Sequence, residues 1–366
     1  MEQSPGRSFQ IFLSAGEASG DLHGSHLVQA IRRACPEARF SCMGGPLLER
    51  SGAQLVVHNG DLAVVGLFEV LKHLKSICKA FLRIRTHLIS RRPDLVVLID
   101  YPDFNFLLGR MAKAHGLRVF YYISPQVWAW RSGRVSSMKR FVDAMAVILP
   151  FEPQFYSRYG MDVRFVGHPL LDVLDEAPGE EEARLRYGGN GNSRTVGLLP
   201  GSRRSEIHQL LGLFCRTAVM IRDRLPECRF LLPVAPALDL ESIEKQTAPF
   251  RLPLQIVSGD TYGVIRACDL LITASGTVTL EAAILGTPMI IANRVSDLTY
   301  YAGRHLIRVR HIGLPNLIAG RSIVPEFIQN EAHPDLLAQE AAGFLRQPER
   351  LARQRRELAK IRGSLG

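Results

Sequence analysis

Short apolar runs alternate with amphipathic stretches along the first half of the chain. Runs of four to eight residues rich in Val and Ile, separated by stretches of helical periodicity, predict parallel strands joined by helices. The predicted strands are Phe9–Ser14, Arg39–Met43, Leu95–Ile99, Val119–Ile123, Ala144–Leu149 and Val163–Val166. The predicted helices are Asp21–Ala34, a long one over Phe68–Ser90, and Phe104–His115.

A break follows, and then the same alternation restarts. The segment Asp172–Asn192 is rich in Pro, Gly and Glu, which is typical of a connection between domains. Beyond it the predicted strands are Thr195–Leu199, Arg229–Pro233, Leu270–Thr273 and Pro288–Ala292. The predicted helices are Ser205–Arg224, Val278–Leu285 and Leu298–Arg308, and the tail from Asp335 is helical and ends in a basic stretch.

This double pattern predicts an α/β protein with two Rossmann-like domains facing a cleft and with helices at the C-terminus. We place the first domain at residues 1–171, the second at residues 193–345 and a basic C-terminal helix at residues 346–366. In open α/β sheets, ligands bind beyond the carboxyl ends of the strands. The loops that follow the strands are therefore the places to search for chemistry.

The net positive charge of the chain limits the kinds of binding partner that are expected. The chain has 366 residues, with 45 Lys and Arg against 35 Asp and Glu. Most of the excess lies before residue 167, so the first domain is expected to meet an anion: nucleic acid, a phosphorylated substrate or an acidic membrane surface. No apolar run approaches the ~18 residues of a membrane span, the N-terminal residues lack the long apolar stretch typical of a signal peptide, and no Cys-x-x-Cys pair occurs. These features favour a reducing cytoplasm and predict neither a metal site nor a cofactor.

Three loops of the first domain carry candidate residues. Glu17 lies in a glycine-containing turn after the first strand. If this turn only capped the following helix, the cap would explain Ser19 but not the Glu17 carboxylate. Asp100 ends the strand Leu95–Ile99 and is a candidate general base, although turns also recruit Asp. Trp128 and Arg131 follow another strand. The tryptophan loop could be a hydrophobic plug between the domains. Alternatively, Trp128 could form the wall of an acceptor site in which Arg131 contacts an anion.

Two loops of the second domain predict an anion pocket. The first combines backbone amides, a helix start and a guanidinium, which together suit a phosphate without a metal. Its candidates are Gly201, Ser202 and Arg203. The second opens a helix with the small residues Ser275, Gly276 and Thr277, and Glu281 follows one turn later on the same face, placed to accept ribose hydroxyls. Ordinary N-capping is the alternative for this second loop.

A basic, partly apolar segment covers Val70–Pro93 and contains seven cations and no Asp or Glu. Most of its apolar residues recur at helical spacing and are expected to pack the helix onto its sheet. The remaining cations and the preceding Val64–Phe68, with Phe68 touching acyl chains, are predicted to meet an anionic membrane.

The motifs SAGEASGDLHG, VVGLFEVL, DYPDFN, SPQVWAWR, LPFE, VGHPL, LPGSRRSE, SGTVTLE and LPNLIAGR occur in this order. Together they resemble the lipid-A-disaccharide synthases from about residue 10 to about residue 345. Ala18, Tyr101 and Gln126 stand where that family commonly has Thr, Ala and Ser.

The resemblance implies a GT-B-type, inverting, metal-independent glycosyltransferase, peripheral on the inner face of the inner membrane. It would join UDP-2,3-diacylglucosamine to 2,3-diacylglucosamine 1-phosphate by a β-1,6 linkage and release UDP. Asp100 is the expected base, with Glu17 second, and Arg203 neutralises the leaving diphosphate. Asn316 matches a family position on the nucleotide side.

Three other classes of protein stay open as interpretations of the sequence. A sugar-nucleotide 2-epimerase would share the fold and the UDP loops, but it would not need a basic, apolar first domain. A nucleic-acid-binding protein would explain the charge, yet no nucleic-acid motif is present and no such partner is expected. A non-catalytic sugar-nucleotide sensor would keep Glu281 but would not need Asp100. A homodimer and the acyl-chain preference are left open.

Overall fold

The computed structural model describes residues 8–61, 67–188, 193–294 and 310–366. Side chains between residues 61 and 74 are not described, so the predicted contacts of Phe68 and of residues 64–66 lie outside the described residues, as does the predicted helix at 298–308. The chain folds into two compact units, which divide between Gly167 and His168.

The first unit is built on one parallel sheet. Its seven strands lie in the order β3-β2-β1-β4-β5-β6-β7. The strands are β1 Gln10–Ala15, β2 Arg39–Gly44, β3 Gln54–His58, β4 Leu95–Ile99, β5 Val119–Tyr122, β6 Ala144–Val147 and β7 Arg164–Phe165. The helices are α1 Ala18–Ala34, α2 Pro46–Arg50, α3 Leu67–Arg91, α4 Pro102–Ala114, α5 Val127–Trp130, α6 Val135–Met138 and α7 Glu152–Ser157.

The long helix α3 shows how the apolar periodicity positions an element. Ala80, Ile84 and Leu88 are buried and recur every four residues, so one face packs on the sheet. The intervening residues of the described part of α3 are largely exposed.

The second unit repeats this architecture. The described residues of this unit form six parallel strands in the order β10-β9-β8-β11-β12-β13. The strands are β8 Thr195–Leu199, β9 Arg229–Val234, β10 Leu254–Ser258, β11 Leu270–Thr273, β12 Met289–Asn293 and β13 Glu326–Ile328. The helices are α8 Leu170–Asp175, α9 Glu180–Tyr187, α10 Arg204–Arg224, α11 Leu240–Thr247, α12 Thr261–Ala267, α13 Thr277–Leu285, α14 Leu314–Ala319, α15 Pro334–Arg346 and α16 Pro348–Ser364.

Both sheets have the strand order of a Rossmann fold, so the predicted α/β class of each domain is confirmed. In this order the chain winds outward in both directions from the central pair of strands. The loops after β1 and β4 therefore meet at the switch point of the first sheet, and those after β8 and β11 meet at that of the second.

The structure corrects two predicted boundaries. The segment predicted as an interdomain connection, residues 172–192, contains the end of α8 and all of α9, and both helices pack into the second unit. Leu170, Leu174, Ala183 and Tyr187 are buried there, because apolar residues four apart share one helix face. The C-terminal helix α16 likewise belongs to the second unit, since its apolar stripe is buried in the same core. Within the described residues, no helix combines the length and the apolar character that crossing a membrane requires.

Candidate active site

The carboxyl edge of the first sheet carries strained backbone around Asp100. Asp100 and Tyr101 have φ angles of +42° and +46°, and Ile123, at the end of β5, has a φ of +62°. The Asp100 N–H donates to the Ile123 carbonyl at 3.2 Å. Non-glycine residues in this region cost about 1–3 kcal/mol each and persist where the surroundings hold them. Such strain concentrates at functional sites, so this edge is a candidate centre of catalysis.

A buried amide behind the strand end holds this conformation. Asn105 is fully buried, and its Nδ2 donates to the carbonyls of Asp100 at 2.8 Å and Ile99 at 3.1 Å. Its Oδ1 accepts the Ser14 hydroxyl at 2.5 Å. The Tyr121 hydroxyl also donates to the Asp100 carbonyl, at 2.8 Å. Sequence reasoning did not select Asn105, although a polar amide on the apolar face of a helix was a signal that could have identified it.

Burial shifts the pKa of the Asp100 carboxyl upward. The pKa of Asp100 is raised to about 6, mainly by burial and also by the nearby Glu17 carboxylate, while the hydrogen bond from the Tyr101 amide acts in the opposite direction. A base whose pKa lies just below neutrality is both ionised and able to hold a proton at physiological pH. The sequence therefore selected a residue whose surroundings suit the role.

The loop after β1 brings Glu17 to the same edge. Glu17 is the exposed N-cap residue of α1, and Ser19 is exposed in the first turn. Gly16 lies directly under the Tyr101 ring, and a Cβ at this position would come within 2.2 Å of the ring. The glycine is thus required for the close packing of the two loops that carry Glu17 and Asp100.

Asp21, in the same motif, has a structural task. It is buried and accepts hydrogen bonds from the N–H groups of Gly45, Leu47 and Leu48, at 2.8–3.1 Å. It therefore caps α2, and not the helix on which it lies.

The tryptophan loop contains one buried ring and one exposed ring. Trp128 is only 8% exposed and packs edge-to-face on Phe151, with ring centroids 5.0 Å apart. Trp130 is 43% exposed, with the Arg131 guanidinium stacked 4.0 Å from its ring centroid. The predicted acceptor contact of Trp128 is therefore corrected: this ring fills the core, because residues two apart in the single turn α5 point in different directions.

Asp103, in the first turn of α4, forms ion pairs and does not cap the helix. The N-cap residue of α4 is Tyr101, and Asp103 pairs instead with Arg131 and Arg134.

Glu152 is a buried carboxyl that sequence reasoning missed. It is 1% exposed and accepts the Ser124 hydroxyl at 2.5 Å, together with the N–H groups of Leu149 at 2.8 Å and Ile148 at 3.2 Å. It therefore joins the turn after β5 to the turn after β6. Burial raises the pKa of Glu152, while these three donors act in the opposite direction.

The second unit contains a cavity of about 490 Å³ at its switch point. The predicted anion-loop residues Gly201, Ser202, Arg203, Ser275, Gly276, Thr277 and Glu281 all line it. A third loop, Gly259–Tyr262, completes the wall. This loop follows β10, an edge strand that lacked a clear sequence signal, so its residues were missed.

The Gly201 loop is shaped by a carboxylate. Glu206 Oε2 accepts the N–H groups of Ser202 at 2.9 Å and Arg203 at 3.1 Å. Gly201 has a φ of +116°, and a Cβ there would lie 2.2 Å from the same oxygen. The prediction that the Ser202 amide faces a diphosphate is corrected for this conformation, because Glu206 already accepts its hydrogen bond. The Arg203 Nη1 lies 3.6 Å from Glu206 Oε1, but 71% of the Arg203 side chain is exposed, so the other donors of its guanidinium are accessible to an anion.

Glu281 is the acidic group of the cavity. Burial raises its pKa to about 7, while a hydrogen bond from Tyr262 acts in the opposite direction. Burial and the neighbouring Glu281 raise the pKa of Tyr262 to about 12. A largely buried carboxylate beside a phenol can accept hydrogen bonds from the hydroxyls of a bound sugar.

Asn316 lies behind this cavity. It is fully buried: its Oδ1 accepts the N–H groups of Ile323 and Val324, and its Nδ2 donates to Val324 O and to Glu326 Oε1. The predicted contact of Asn316 with a nucleotide is corrected, because its amide is saturated and it does not line the cavity.

The connection of Asn316 to the cavity is indirect. Glu326 also accepts the N–H groups of Ile312 and Gly313, and the Ser275 hydroxyl donates to the Ile312 carbonyl at 3.0 Å. Asn316 therefore supports the cavity through Glu326 and the loop that holds Ser275.

Within the described residues, no group of three His, Cys, Asp or Glu side chains could hold a metal ion.

Known proteins of one family resemble this chain over almost its whole length. Residues 11–365 match the family described as lipid-A-disaccharide synthetase. The lipid-A-disaccharide synthase of Geobacter sulfurreducens is 46% identical over 359 residues, which cover 98% of this chain and 94% of that protein.

Among solved structures, a putative UDP-N-acetylglucosamine 2-epimerase from Listeria monocytogenes has a TM-score of 0.63 at 13% identity and covers 95% of this chain and 91% of its own. The glycotransferase of kitacinnamycin has a TM-score of 0.61 at 16% identity, with 98% and 97% covered. At these identities the likeness concerns the fold alone. The match to the family over almost the whole length decides the identity: the chain belongs to the lipid-A-disaccharide synthase family of glycosyltransferases.

Proposed function

We propose that this protein transfers diacylglucosamine from UDP-2,3-diacylglucosamine to 2,3-diacylglucosamine 1-phosphate. The product is the β-1,6-linked disaccharide 1-phosphate, and UDP is released. The observation that carries the proposal is the pairing of Asp100, whose pKa is about 6, with family membership over residues 11–365.

Asp100 acts as the general base in this reaction. It takes the proton of the acceptor's 6-hydroxyl as that oxygen attacks the anomeric carbon of the donor. The bond from this carbon to the UDP oxygen breaks, and its electron pair leaves with the diphosphate. A placed base typically contributes about 10²–10⁴-fold to the rate. The strained backbone held by Asn105 fixes the carboxylate for this step.

The second unit binds the donor's nucleotide. Glu281 accepts hydrogen bonds from the ribose hydroxyls, and the start of α13 and the Arg203 guanidinium meet the diphosphate. Because Glu206 accepts the Ser202 and Arg203 amides, the guanidinium carries more of this charge stabilisation than those amides do.

The acyl substrates place the enzyme at a membrane, and α3 is the surface that suits it. The exposed cations of its described part include Lys75, Lys79, Arg83 and Arg85, and none of these four forms an ion pair with a described residue. Leu82, among them, is 58% exposed. Each cation near an anionic leaflet contributes about 1 kcal/mol, so α3 would hold the protein on the inner face of the inner membrane as a peripheral protein.

The test uses the purified protein with both substrates dispersed in detergent. Formation of the disaccharide and UDP release should each require the donor and the acceptor together. The competing function is a sugar-nucleotide 2-epimerase of similar fold. Conversion of UDP-N-acetylglucosamine to its 2-epimer without an acceptor, and without disaccharide formation, would contradict the proposal.

A further inference from the structure

Two arginines next to the candidate base converge on one carboxylate oxygen. Arg131 Nη1 lies 3.2 Å from Asp103 Oδ1, and Arg134 Nη2 lies 2.6 Å from the same atom. We propose that Arg131 and Arg134 form the site that binds the phosphate of the acceptor. The inference rests on the proposed function, because it assigns one group of that substrate.

The geometry leaves most of the donors of both guanidiniums for a ligand. Each guanidinium has five N–H donors, and the pair with Asp103 uses one nitrogen of each. The Arg131 guanidinium lies over the Trp130 ring at 4.0 Å, and that of Arg134 lies 5.3 Å from the ring centroid of Phe106. An aromatic ring therefore lies beside each guanidinium, and a guanidinium in this setting can still bind an anion through its N–H groups.

The charge of the cluster favours a phosphomonoester. The two arginines carry two positive charges against the single charge of Asp103, whose side chain is 72% exposed. A phosphomonoester carries about −1.5 to −2 charges at pH 7 and offers three acceptor oxygens. The alternative is an ordinary surface ion pair, but such a pair needs one arginine for one carboxylate and contributes little. Asp103 instead holds two long side chains in one place before the ligand arrives, which lowers the entropic cost of binding.

The surface beside the cluster is apolar. Leu107 lies four residues after Asp103, hence on the same face of α4, and it is 56% exposed. Trp130 is 43% exposed. A phosphate site bordered by two exposed apolar side chains fits a phosphorylated amphiphile better than a free nucleotide or inorganic phosphate.

The position of the cluster gives it a role in regiochemistry. Asp103 follows Asp100 by three residues, so their Cα atoms are at most about 11 Å apart. On the acceptor, C1 with its phosphate and C5 with the arm that carries the 6-hydroxyl both adjoin the ring oxygen, whereas the 4-hydroxyl lies across the ring from C1. A phosphate held by Arg131 and Arg134 would therefore direct the 6-hydroxyl toward Asp100, and not the other hydroxyls of the ring.

The experiment compares the acceptor with its dephosphorylated form. Binding of each to the full-length protein is measured by tryptophan fluorescence in detergent, for the wild type, Arg131→Gln, Arg134→Gln and the double variant. Each single substitution should weaken binding of the phosphorylated acceptor by about 10–100-fold, as expected for charge-assisted hydrogen bonds. It should change binding of the dephosphorylated acceptor less than threefold or so. Arg140→Gln, an exposed arginine of the same unit, is the matched control and should change neither.

Equal losses with both acceptors would overturn the proposal, because the arginines would then not recognise the phosphate. A membrane headgroup could supply the same chemistry, so the variants are also sedimented with vesicles of phosphatidylglycerol. Weaker vesicle binding without discrimination between the two acceptors would assign the arginines to the membrane and would also overturn it. The binding readout does not require turnover. If the wild type formed no disaccharide, the proposed function would be contradicted. The binding measurements would still decide whether the two arginines recognise the phosphate of the acceptor.

Discussion

Replacing Glu281 with Gln should make the second unit more stable and the nucleotide site weaker. Burial raises the pKa of Glu281 from 4.5 to about 7. One pKa unit corresponds to about 1.4 kcal/mol, so keeping this carboxylate ionised costs the folded state up to about 3 kcal/mol. Gln has the same shape and no charge, and it removes that cost.

The sign of the pH dependence follows from the raised pKa. Protonated Glu281 stabilises the fold relative to the ionised form, and this contribution is fully present below pH 4.5 and is lost as pH rises through about 7. The free energies of unfolding of the wild type and Glu281→Gln should therefore be similar near pH 4.5. At pH 8 the variant should exceed the wild type by about 1–3 kcal/mol.

The assay is urea denaturation of the full-length protein at both pH values, following the transition of the second unit. Glu244→Gln, an exposed position on α11 of the same unit, is the matched control and should show no pH-dependent gain. A variant that is equally or less stable than the wild type at pH 8 would refute the burial argument.

The binding half of this prediction is measured by titration with UDP. Glu281→Gln should weaken UDP by about tenfold or more, the range for a lost hydrogen bond to a charged group. Wild-type affinity should rise between pH 5.5 and pH 8 as Glu281 ionises, and the variant should lack this rise. Unchanged UDP affinity would remove Glu281 from the ribose site.

Three further outcomes are expected. Ser124→Ala should lower kcat by about tenfold and leave UDP affinity unchanged, because it removes a hydrogen bond to Glu152 beside the strained edge; Ser25→Ala, which removes a buried hydroxyl from α1, should leave kcat unchanged. Arg203→Lys should be impaired, since an ammonium lacks the guanidinium fork, and activity should persist in EDTA; loss of activity on chelation, restored by Mg²⁺, would contradict the metal-independent mechanism. Changing Lys75 and Lys79 to Glu should reduce co-sedimentation with anionic vesicles and leave neutral vesicles unaffected, and binding should weaken with salt; an unaltered result would place the membrane contact elsewhere.

The periodicity of apolar residues predicted the strands that form the centre of both sheets. β4 is a continuous apolar run and β8 is buried along its whole length, because parallel strands in this class of fold are covered on both faces. Edge strands such as β10 have a partner on one side only and keep exposed positions, so their pattern is weaker. The helices α8 and α9 were missed because their Pro- and Gly-rich surroundings hid short apolar stripes.

The position of a candidate residue was predictable where it follows from the end of a strand. Asp100 lies at the strained edge of the first sheet, and Glu281 lines the cavity of the second unit. The sequence could not reveal which side chains face inward or which partners they already have. Trp128 is buried while Trp130 is exposed, Glu206 accepts amides that a phosphate could have used, and the Asn316 amide is saturated by its own unit. These outcomes depend on the exact direction of short helices and loops, which local sequence does not specify.

The most direct test of the mechanism compares Asp100→Asn with the wild type in disaccharide formation. The kcat of Asp100→Asn should fall by at least about a hundredfold while the Kd for UDP stays unchanged. In the wild type, kcat/KM should decline below a pKa of about 6, the value for Asp100 in the folded protein. Glu17→Gln, made at the neighbouring carboxylate, should be clearly less impaired than Asp100→Asn. Turnover of Asp100→Asn within a few-fold of the wild type, with Glu17→Gln inactive, would contradict the account and transfer the role of base to Glu17.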